Sequence, residues 1–256
     1  MDWLHRERML LGDEAVERLR ETSVLIFGVG GVGGYVVEAL TRAGVGRISV
    51  VDNDTVSVTN LNRQIIATRD TIGKSKVDVI AERIKSINPD CVVNRFPVFA
   101  TAENIGGIID EAEPDFIVDA IDTVTSKLII IKEAKSREIP VVSSMGTGNK
   151  LDPTRFKIVD ITKTHTDPLA KVIRLKLREA GITHVPVLFS DEEPKKSAME
   201  SELEGKTTRH IPGSVSFVPP AAGLAIAAYV IAGRGAPAGG RQGGEPPRAD
   251  VRASMC

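Results

Sequence analysis

The chain has 256 residues, of which 42% are hydrophobic, so it is long enough for one large domain with a well-buried core. Its 33 lysine and arginine residues nearly balance 34 aspartate and glutamate residues, which excludes a globally basic protein and leaves nucleic-acid binding to a local patch. Only two cysteines occur, Cys91 and Cys256, which excludes a disulfide framework, and no structural zinc is expected. Because the first residues are charged and form no apolar signal core, we expect a cytoplasmic protein.

Helical and extended patterns alternate through the N-terminal half. A helical segment, about Arg6 to Arg20, comes first. We then predict strands at Ser23–Phe27, Ile48–Val51, Val92–Phe96, Phe116–Val118 and Val141–Ser144, with helices at Val32–Ala43, Ser75–Ile87 and Thr125–Glu138. That alternation predicts an α/β fold with a Rossmann-like, doubly wound and mostly parallel sheet.

A glycine-rich turn follows the first predicted strand. Residues 24–33 read VLIFGVGGVG, with glycines at Gly28, Gly30, Gly31 and Gly33. Glycines allow a tight turn and a close backbone approach, so N–H groups at the next helix can face a phosphate. Asp52 ends the second strand, where an acidic residue contacts ribose in nucleotide-binding α/β units. The motif alone does not distinguish NAD from ATP.

The residues after Asp52 favour ATP. Arg63 and Lys76 follow within this region, and a dehydrogenase has no evident need for such cations beyond its ribose carboxylate. A site that binds a triphosphate and expels pyrophosphate must neutralise several negative charges, which arginine and lysine do well. Lys76 also stands in the first turn of a predicted helix, where a cation opposes the helix dipole, so an anion is expected nearby.

As a set, these residues resemble the ubiquitin-activating-type adenylating superfamily, whose bacterial members include ThiF and MoeB. The matching positions are Gly28, Gly30, Gly31, Gly33, Asp52, Asp54, Asn60, Asn62, Arg63, Gln64, Lys76, Asp119 and Asp122. The resemblance implies binding of ATP and Mg²⁺. It also implies attack of a substrate carboxylate on the α-phosphate to give an acyl-adenylate.

The resemblance also implies a role for individual residues. Arg63 and Lys76 would stabilise the negative charge of the pentavalent phosphorus, and Asp122 would orient magnesium. Arg6 matches an arginine that reaches the γ-phosphate of the neighbouring subunit in similar enzymes, which implies a homodimer. The nucleotide itself would be held by Gly28, Gly30, Gly31, Gly33, Asp52, Asp54, Asn60, Arg63, Gln64, Lys76 and Asp122.

The C-terminal half is predicted to extend the same sheet by antiparallel strands. Strand patterns occur at Phe156–Ile161 and Val185–Ser190, with a proline-initiated helix at Asp167–Arg178 between them. We therefore predict one adenylating domain over residues 1–233, with a nucleotide-binding half at about 1–150 and a substrate-side half at about 151–233. The polar segment Asp191–Arg209 reads as a mobile loop, and the Gly-, Pro- and Arg-rich residues 234–256 as a disordered tail.

One uncharged stretch, Ile211–Gly233, raises the question of a membrane span. Prolines and a glycine interrupt it, and only Ala221–Ala232 remains as an unbroken helical run, which is too short to cross a bilayer. We therefore expect a buried helix beginning near Pro220 and no membrane span.

The second half also indicates the branch of the superfamily. Branches that activate sulfur-carrier proteins usually have two Cys-x-x-Cys pairs, and neither pair exists here. Cys91 stands at a strand entrance, where packing is expected, and Cys256 ends the tail, so transfer through a thiol is disfavoured. Residues 160–171 and 213–223 instead resemble the tRNA threonylcarbamoyladenosine dehydratase branch. That resemblance implies ATP-dependent cyclisation of a threonylcarbamoyl group on tRNA, in which an atom of the same modified base acts as the nucleophile.

A local excess of positive charge is compatible with tRNA. From Arg155 to Arg178 there are seven lysine or arginine residues against two aspartates. Arg155 and Lys157 are candidate phosphate contacts. The proposed tRNA contacts are Lys163, His165, Lys171, Arg174, Lys176 and Arg178.

Three functions therefore follow, in order. The first is the tRNA-modifying, AMP-forming dehydratase, the second an adenylyltransferase that activates a ubiquitin-like sulfur-carrier protein, and the third an NAD-binding oxidoreductase. The sequence leaves open which tRNAs bind, whether a sulfur-transfer partner docks and whether a monovalent cation is needed.

Overall fold

The protein was analysed as a computed structural model, which describes residues 2–196 and 212–235. A seven-stranded sheet with strand order β3-β2-β1-β4-β5-β7-β6 forms its centre. The strands are β1 Ser23–Phe27, β2 Arg47–Val51, β3 Val92–Phe96, β4 Phe116–Asp119, β5 Val141–Ser144, β6 Phe156–Asp160 and β7 Pro186–Ser190. Only β6 is antiparallel to its neighbour, so the predicted mostly parallel α/β sheet is confirmed.

Helices cover both faces of this sheet. They are α1 His5–Leu11, α2 Asp13–Glu21, α3 Gly33–Arg42, α4 Lys76–Ile87, α5 Ile105–Ala112, α6 Val124–Ser136, α7 Pro168–Glu179 and α8 Val218–Gly235. Short 3-10 turns lie at Val58–Asn60, Arg69–Thr71, Pro153–Arg155 and Ile161–Lys163.

Strand β1 shows why the sheet is buried on both sides. All five of its residues are buried. Successive side chains point to opposite faces, so Val24 and Ile26 join one hydrophobic cluster, whereas Leu25 and Phe27 join another. From β1 the chain passes outward to β3 and then returns to β4 on the other side of β1. This reversal opens a crevice at the carboxyl ends of β1 and β4.

The C-terminal half belongs to the same sheet, as expected. Strand β7 pairs with β5 in parallel, and β6 closes the edge antiparallel to β7. The predicted antiparallel extension therefore applies to β6, while β7 continues the parallel sheet. A third cluster, which includes Ile131, Met145, Ile173 and Phe189, packs this part against α6 and α7.

Two elements at the amino side differ from the prediction. The single helix expected over Arg6–Arg20 is broken at Gly12, whose φ of 85° favours glycine. Helix α5 was not predicted, because Gly106 and Gly107 weaken the helical pattern of a segment whose other apolar residues pack into the core.

Helix α8 is longer than predicted. It begins at Val218, so Pro219 and Pro220 occupy its first turn, where a missing N–H group breaks no helical bond. It continues to Gly235, past the predicted domain end at residue 233. Within the described residues, no helix is long and apolar enough to cross a membrane. Residues 236–256, most of the predicted tail including Cys256, lie outside the described residues.

The start of the predicted mobile loop is anchored. Asp191 accepts hydrogen bonds from Lys157 Nζ and Arg155 Nε, and these bonds lower the pKa of Asp191 to about 2. The carboxylate of Glu192 is buried and accepts from the backbone N–H of Leu151 at 3.0 Å. Arg155 and Lys157 are therefore already paired, which corrects their assignment as phosphate contacts. Residues 197–209 of this loop lie outside the described residues.

An ion cluster joins α3 to α4 and gives a first testable prediction. Glu38 is 9% exposed and accepts from Arg83 Nε at 2.6 Å and from Arg42 Nε at 2.8 Å. Burial raises the pKa of Glu38, but the hydrogen bonds from both arginines outweigh burial, so the pKa is lowered from 4.5. We expect Glu38→Gln to reduce the free energy of unfolding by about 1 kcal/mol at neutral pH.

The pH dependence follows from the sign of that shift. Because the folded pKa lies below the unfolded one, the ionised carboxylate stabilises the fold above pH 4.5, and this contribution is lost as pH falls below that value. Thermal unfolding of wild type and Glu38→Gln should therefore differ at neutral pH and converge in acid. Glu82→Gln, at an exposed position of α4, should cause no such pH-dependent difference, and the same convergence there would contradict the argument.

Candidate functional site

The glycine turn lies at the carboxyl end of β1, in the crevice between β1 and β4. Gly28 has a φ of 87° and donates its N–H to Val51 O at 2.8 Å. A Cβ atom on Gly28 would lie 2.9 Å from Ala120 O, and one on Gly33 would lie 1.8 Å from Gly28 O. The turn therefore excludes side chains at both glycines and leaves the N-terminus of α3 open to an anion, as predicted.

Three charged residues meet beside this turn. The carboxylate of Asp52 accepts from Val29 N at 2.9 Å and from Asp54 N at 3.0 Å, so it fixes the ends of β1 and β2 together. Lys76 Nζ lies 2.7 Å from Asp54 Oδ2 and 3.9 Å from Asp52 Oδ1, with only 6% of the Lys76 side chain exposed. The Asp54 side chain is 60% exposed, so a phosphate can replace it as the partner of Lys76.

Arg63 carries a positive charge on the other side of the turn. Its Nη1 donates to Thr59 O and to Asn62 Oδ1, both at 2.9 Å. Within the described part of the chain, no carboxylate pairs with the Arg63 guanidinium, and burial lowers its pKa. Its stem passes close to Gly31, where an added Cβ would lie 3.4 Å from Arg63 Cγ. A half-buried cation without an acidic partner, next to a phosphate-type turn, indicates an anionic ligand.

Gln64 and Asn60 differ in what they can offer a ligand. Gln64 is 7% exposed, and its amide lies beside Gly30. Among the described residues, Gln64 Oε1 is the only buried side-chain nitrogen or oxygen without a hydrogen-bond partner, so a ligand can satisfy it. Asn60 Oδ1 instead accepts from Ser57 N at 3.0 Å, and the residue shapes the loop that carries Arg63.

A buried ion pair supports the opposite wall of the crevice. Lys127 Nζ lies 2.8 Å from Asp119 Oδ2 and 2.9 Å from Ser144 O, and neither side chain of the ion pair is exposed. Asp119 ends β4, and the turn after it places Ala120 against Gly28 and presents Asp122 at the surface. The sequence analysis missed Lys127, although a lysine beside the Leu128–Ile131 run of a helix is itself a signal for a buried charge.

A segment of the second half closes one side of the site. Ser214 O accepts from Asn62 Nδ2 at 3.0 Å, and Gly213 exchanges hydrogen bonds with Asn149. Pro219 lies against Gly31, since an added Cβ there would be 3.0 Å from Pro219 Cβ. The motif at residues 213–223, which indicated the branch of the superfamily, therefore lies on the nucleotide edge of the sheet.

Arg6 lies on the other side of the molecule. Leu4, two residues before it, fills the space over Gly44, where an added Cβ would be 2.6 Å from Leu4 Cδ1. Gly44 precedes β2, whereas the glycine turn follows β1, and the two strands are parallel. Arg6 is therefore at the amino edge of the sheet and away from the glycine turn of its own chain.

The predicted tRNA contacts lie on and before α7. Arg174 differs from the rest, because its Nη1 donates to Thr164 O and Thr164 Oγ1 at 2.6 Å and is half-buried. His165 Nδ1 lies 2.9 Å from Thr166 Oγ1, and its ring packs edge-to-face on Phe189. The exposed candidates are Lys163, His165, Lys171, Lys176 and Arg178.

A second buried ion pair fixes this helix to the sheet. Lys150 Nζ lies 3.0 Å from Asp167 Oδ2 and donates to Gly146 O, just beyond β5, at 2.8 Å. Asp167 Oδ1 accepts from Ala170 N, which caps α7. The sequence analysis did not identify this pair, because its members are far apart along the chain.

Neither a cysteine nor a metal cluster contributes to the described site. Cys91 is buried in the core, and burial raises the pKa of its thiol to about 11, which fits the expected packing role. Among residues 2–196 and 212–235, no group of three His, Cys, Asp or Glu side chains is arranged to hold a metal ion.

Comparisons with known proteins agree with this geometry. The model of the ThiF family matches residues 4–232. The tRNA threonylcarbamoyladenosine dehydratase of Bacillus subtilis is 45% identical over 234 residues, which cover 88% of this chain and 92% of that protein. The E. coli tRNA N6-threonylcarbamoyladenosine dehydratase TcdA, solved in complex with AMP, has a TM-score of 0.81 at 32% identity and covers 89% of this chain and 91% of that chain. The complex of the same E. coli protein with ATP gives a TM-score of 0.80.

A relative from another branch matches a shorter part of the chain. The sulfur carrier protein adenylyltransferase of Thermus thermophilus is 38% identical over 132 residues, which cover 51% of this chain and 48% of that protein. The match to the dehydratases extends through both halves, whereas the match to the adenylyltransferase covers half. The chain therefore belongs to the ThiF family, in the branch of the tRNA threonylcarbamoyladenosine dehydratases.

Proposed function

We propose that this protein uses ATP to activate the carboxylate of threonylcarbamoyladenosine in tRNA and then closes that group into a ring. The observation that carries the proposal is the position of the second-half segment. Its Ser214 and Pro219 contact Asn62 and Gly31, so the part of the chain typical of the dehydratase branch borders the predicted phosphate site.

The reaction has two steps. A carboxylate oxygen of the substrate attacks the α-phosphorus of ATP, and the bond to pyrophosphate breaks. A neighbouring atom of the same modified base then attacks the acyl carbon, AMP leaves with the carboxylate oxygen, and the net change in the nucleoside is loss of water. No enzyme thiol is needed, because the second nucleophile is already part of the substrate.

The cations of the site supply electrostatic stabilisation. Arg63 and Lys76 flank the glycine turn and would stabilise the charge that develops on the phosphoryl oxygens. The glycines, Asp52, Asp54 and Gln64 would hold the rest of the nucleotide, while Asn60 would support the loop. Burial of the unpartnered Gln64 Oε1 and the side-chain-free turn both fit such a ligand.

We further propose that Asp122 holds Mg²⁺ together with ATP. Magnesium in nucleotide sites binds through one or two carboxylates plus phosphates and water, so one exposed carboxylate beside the crevice is sufficient. The bound ion would neutralise charge on the phosphates.

Assembly and location complete the proposal. Because Arg6 lies at the amino edge of its own sheet, it can serve a nucleotide site only in a partner subunit, which supports a homodimer. The apolar side chains of Met9 and Leu10 on the same helix are 76% and 85% exposed, as expected for residues that a second subunit covers. The exposed cations of α7 would contact tRNA phosphates, and tRNA as the substrate places the reaction in the cytoplasm. A sulfur-transfer protein stays a candidate partner.

The decisive experiment compares two tRNA preparations that differ only in the modification. With purified protein and ATP, tRNA that carries threonylcarbamoyladenosine should yield AMP and a nucleoside lighter by one water molecule. Equal ATP turnover with unmodified tRNA would contradict the proposal. Pyrophosphate exchange stimulated by a small carrier protein ending in Gly-Gly would support the sulfur-carrier alternative, and binding of a nicotinamide nucleotide the oxidoreductase.

The glycine turn gives a second prediction. An alanine at Gly33 would place a Cβ 1.8 Å from a backbone oxygen, so Gly33→Ala must distort the turn. We expect ATP affinity, measured by calorimetry, to fall at least about tenfold. Gly107→Ala is the matched control, since no atom lies within 4 Å of its added Cβ in α5. It should bind ATP normally and gain about 0.5–1 kcal/mol in stability. Equal affinity of the two variants would exclude the turn as the phosphate site.

A further inference from the structure

The Arg63 guanidinium is held in one orientation by a single neighbouring side chain. Arg63 Nη1 donates to both Thr59 O and Asn62 Oδ1 at 2.9 Å, which uses both of its hydrogens. Within the described residues no acceptor is recorded for Nε or Nη2, so these donors are available to a phosphate. The direction in which they point is set where Nη1 is bound.

Asn62 connects this arginine to the second half of the chain. Its Oδ1 accepts from Arg63, while its Nδ2 donates to Ser214 O at 3.0 Å across 152 residues of sequence. Ser214 is itself fixed through Gly213, which accepts from Asn149 N at 2.8 Å and donates to Asn149 Oδ1 at 2.7 Å. A continuous series of hydrogen bonds therefore runs from the end of β5 to the guanidinium.

We propose that Asn62 is a positioning residue that orients Arg63 for adenylation and couples this orientation to the second-half segment. The proposal rests on the proposed function, in which Arg63 stabilises the transferring phosphoryl group. Asn62 is exposed, so its effect on folding is small, and it contacts the reacting atoms only through Arg63. A planar guanidinium that is held at one nitrogen loses little freedom when the other two bind phosphate.

The kinetic test is a double-mutant cycle on AMP formation with threonylcarbamoylated tRNA. We expect Asn62→Ala to lower kcat by about 10-fold to 100-fold, with KM for ATP and for tRNA changed by less than about threefold. Because Asn62 acts through Arg63, Asn62→Ala should have no additional effect in an Arg63→Ala background. Independent, multiplicative effects would overturn the proposal, and so would an effect confined to KM for tRNA.

Two further variants sharpen the interpretation. Asn62→Asp keeps an acceptor for Arg63 but neutralises its charge and loses the donor to Ser214, so it should reduce kcat at least as much as Asn62→Ala. Asn94→Ala is the matched control, because Asn94 Nδ2 donates to Ser49 Oγ between β3 and β2. It should leave kcat unchanged, and a loss equal to that of Asn62→Ala would overturn the specific role.

A substrate-free readout separates this proposal from the proposed function. The guanidinium Nε–H NMR signal of Arg63, assigned by its absence in Arg63→Ala, should shift or broaden in Asn62→Ala and stay unchanged in Asn94→Ala. An unchanged signal in Asn62→Ala would overturn the positioning role whatever the substrate. If wild type forms no AMP with modified tRNA, the proposed function fails, while the NMR comparison still decides whether Asn62 orients Arg63.

Discussion

Replacing Arg63 by alanine should reduce kcat/KM for AMP formation by about 100-fold to 1,000-fold, or about 3–4 kcal/mol of transition-state stabilisation. The reason is electrostatic. The guanidinium is half-buried beside the glycine turn, and no described carboxylate neutralises it, so its charge acts on the phosphate. Removing it leaves Lys76 to stabilise the additional negative charge of the pentavalent phosphorus alone.

The experiment is steady-state kinetics with modified tRNA, together with thermal unfolding. Arg42→Ala is a suitable control, because Arg42 is a 59% exposed arginine at the far end of α3 and its partner Glu38 keeps Arg83. The control should keep wild-type kinetics, and Arg63→Ala should unfold at nearly the wild-type temperature. Near-normal turnover of Arg63→Ala would rule out its role and favour a dinucleotide ligand, for which this cation is not needed.

Replacing Lys127 by methionine should have the largest effect on stability, about 3–5 kcal/mol. Lys127 and Asp119 are both fully buried, and the ammonium donates to Asp119, Ser143 and Ser144. Methionine fills similar volume but leaves the carboxylate of Asp119 without its counter-charge in the core. A buried unpaired charge costs far more than the pair contributes when it is intact.

Urea unfolding with a constant slope would measure this loss. Lys132→Met is the matched control, since Lys132 lies on the exposed face of the same helix, and its effect should stay within about 0.5 kcal/mol. The double variant Asp119→Asn with Lys127→Met should recover part of the stability, because the unpaired charge is then gone. If the single Lys127 variant lost no more than the control, the pair could not be buried as described.

Local pattern predicted much of the fold. Strands β1, β3 and β5 begin and end at the predicted residues, because a short apolar run between turn signals leaves few alternatives. The glycine turn and its ribose-type aspartate were also visible, since each depends on backbone geometry within a few residues. Helix α5 was missed for the opposite reason: its two glycines contradict the helical pattern, and packing of Ile105, Ile108 and Ile109 overrides that preference.

The sequence by itself determined the nucleotide-binding motif, the order of the parallel strands and the family. Those features depend on residues close together in the chain and on the period of apolar side chains. Only the tertiary structure decided which charges meet: Lys127 with Asp119, Lys150 with Asp167, and Asn62 with Ser214. It also decided that Arg155 and Lys157 are paired with Asp191. Ion pairs and hydrogen bonds act over a few ångströms in space and have no period in sequence, so a list of residues does not reveal them.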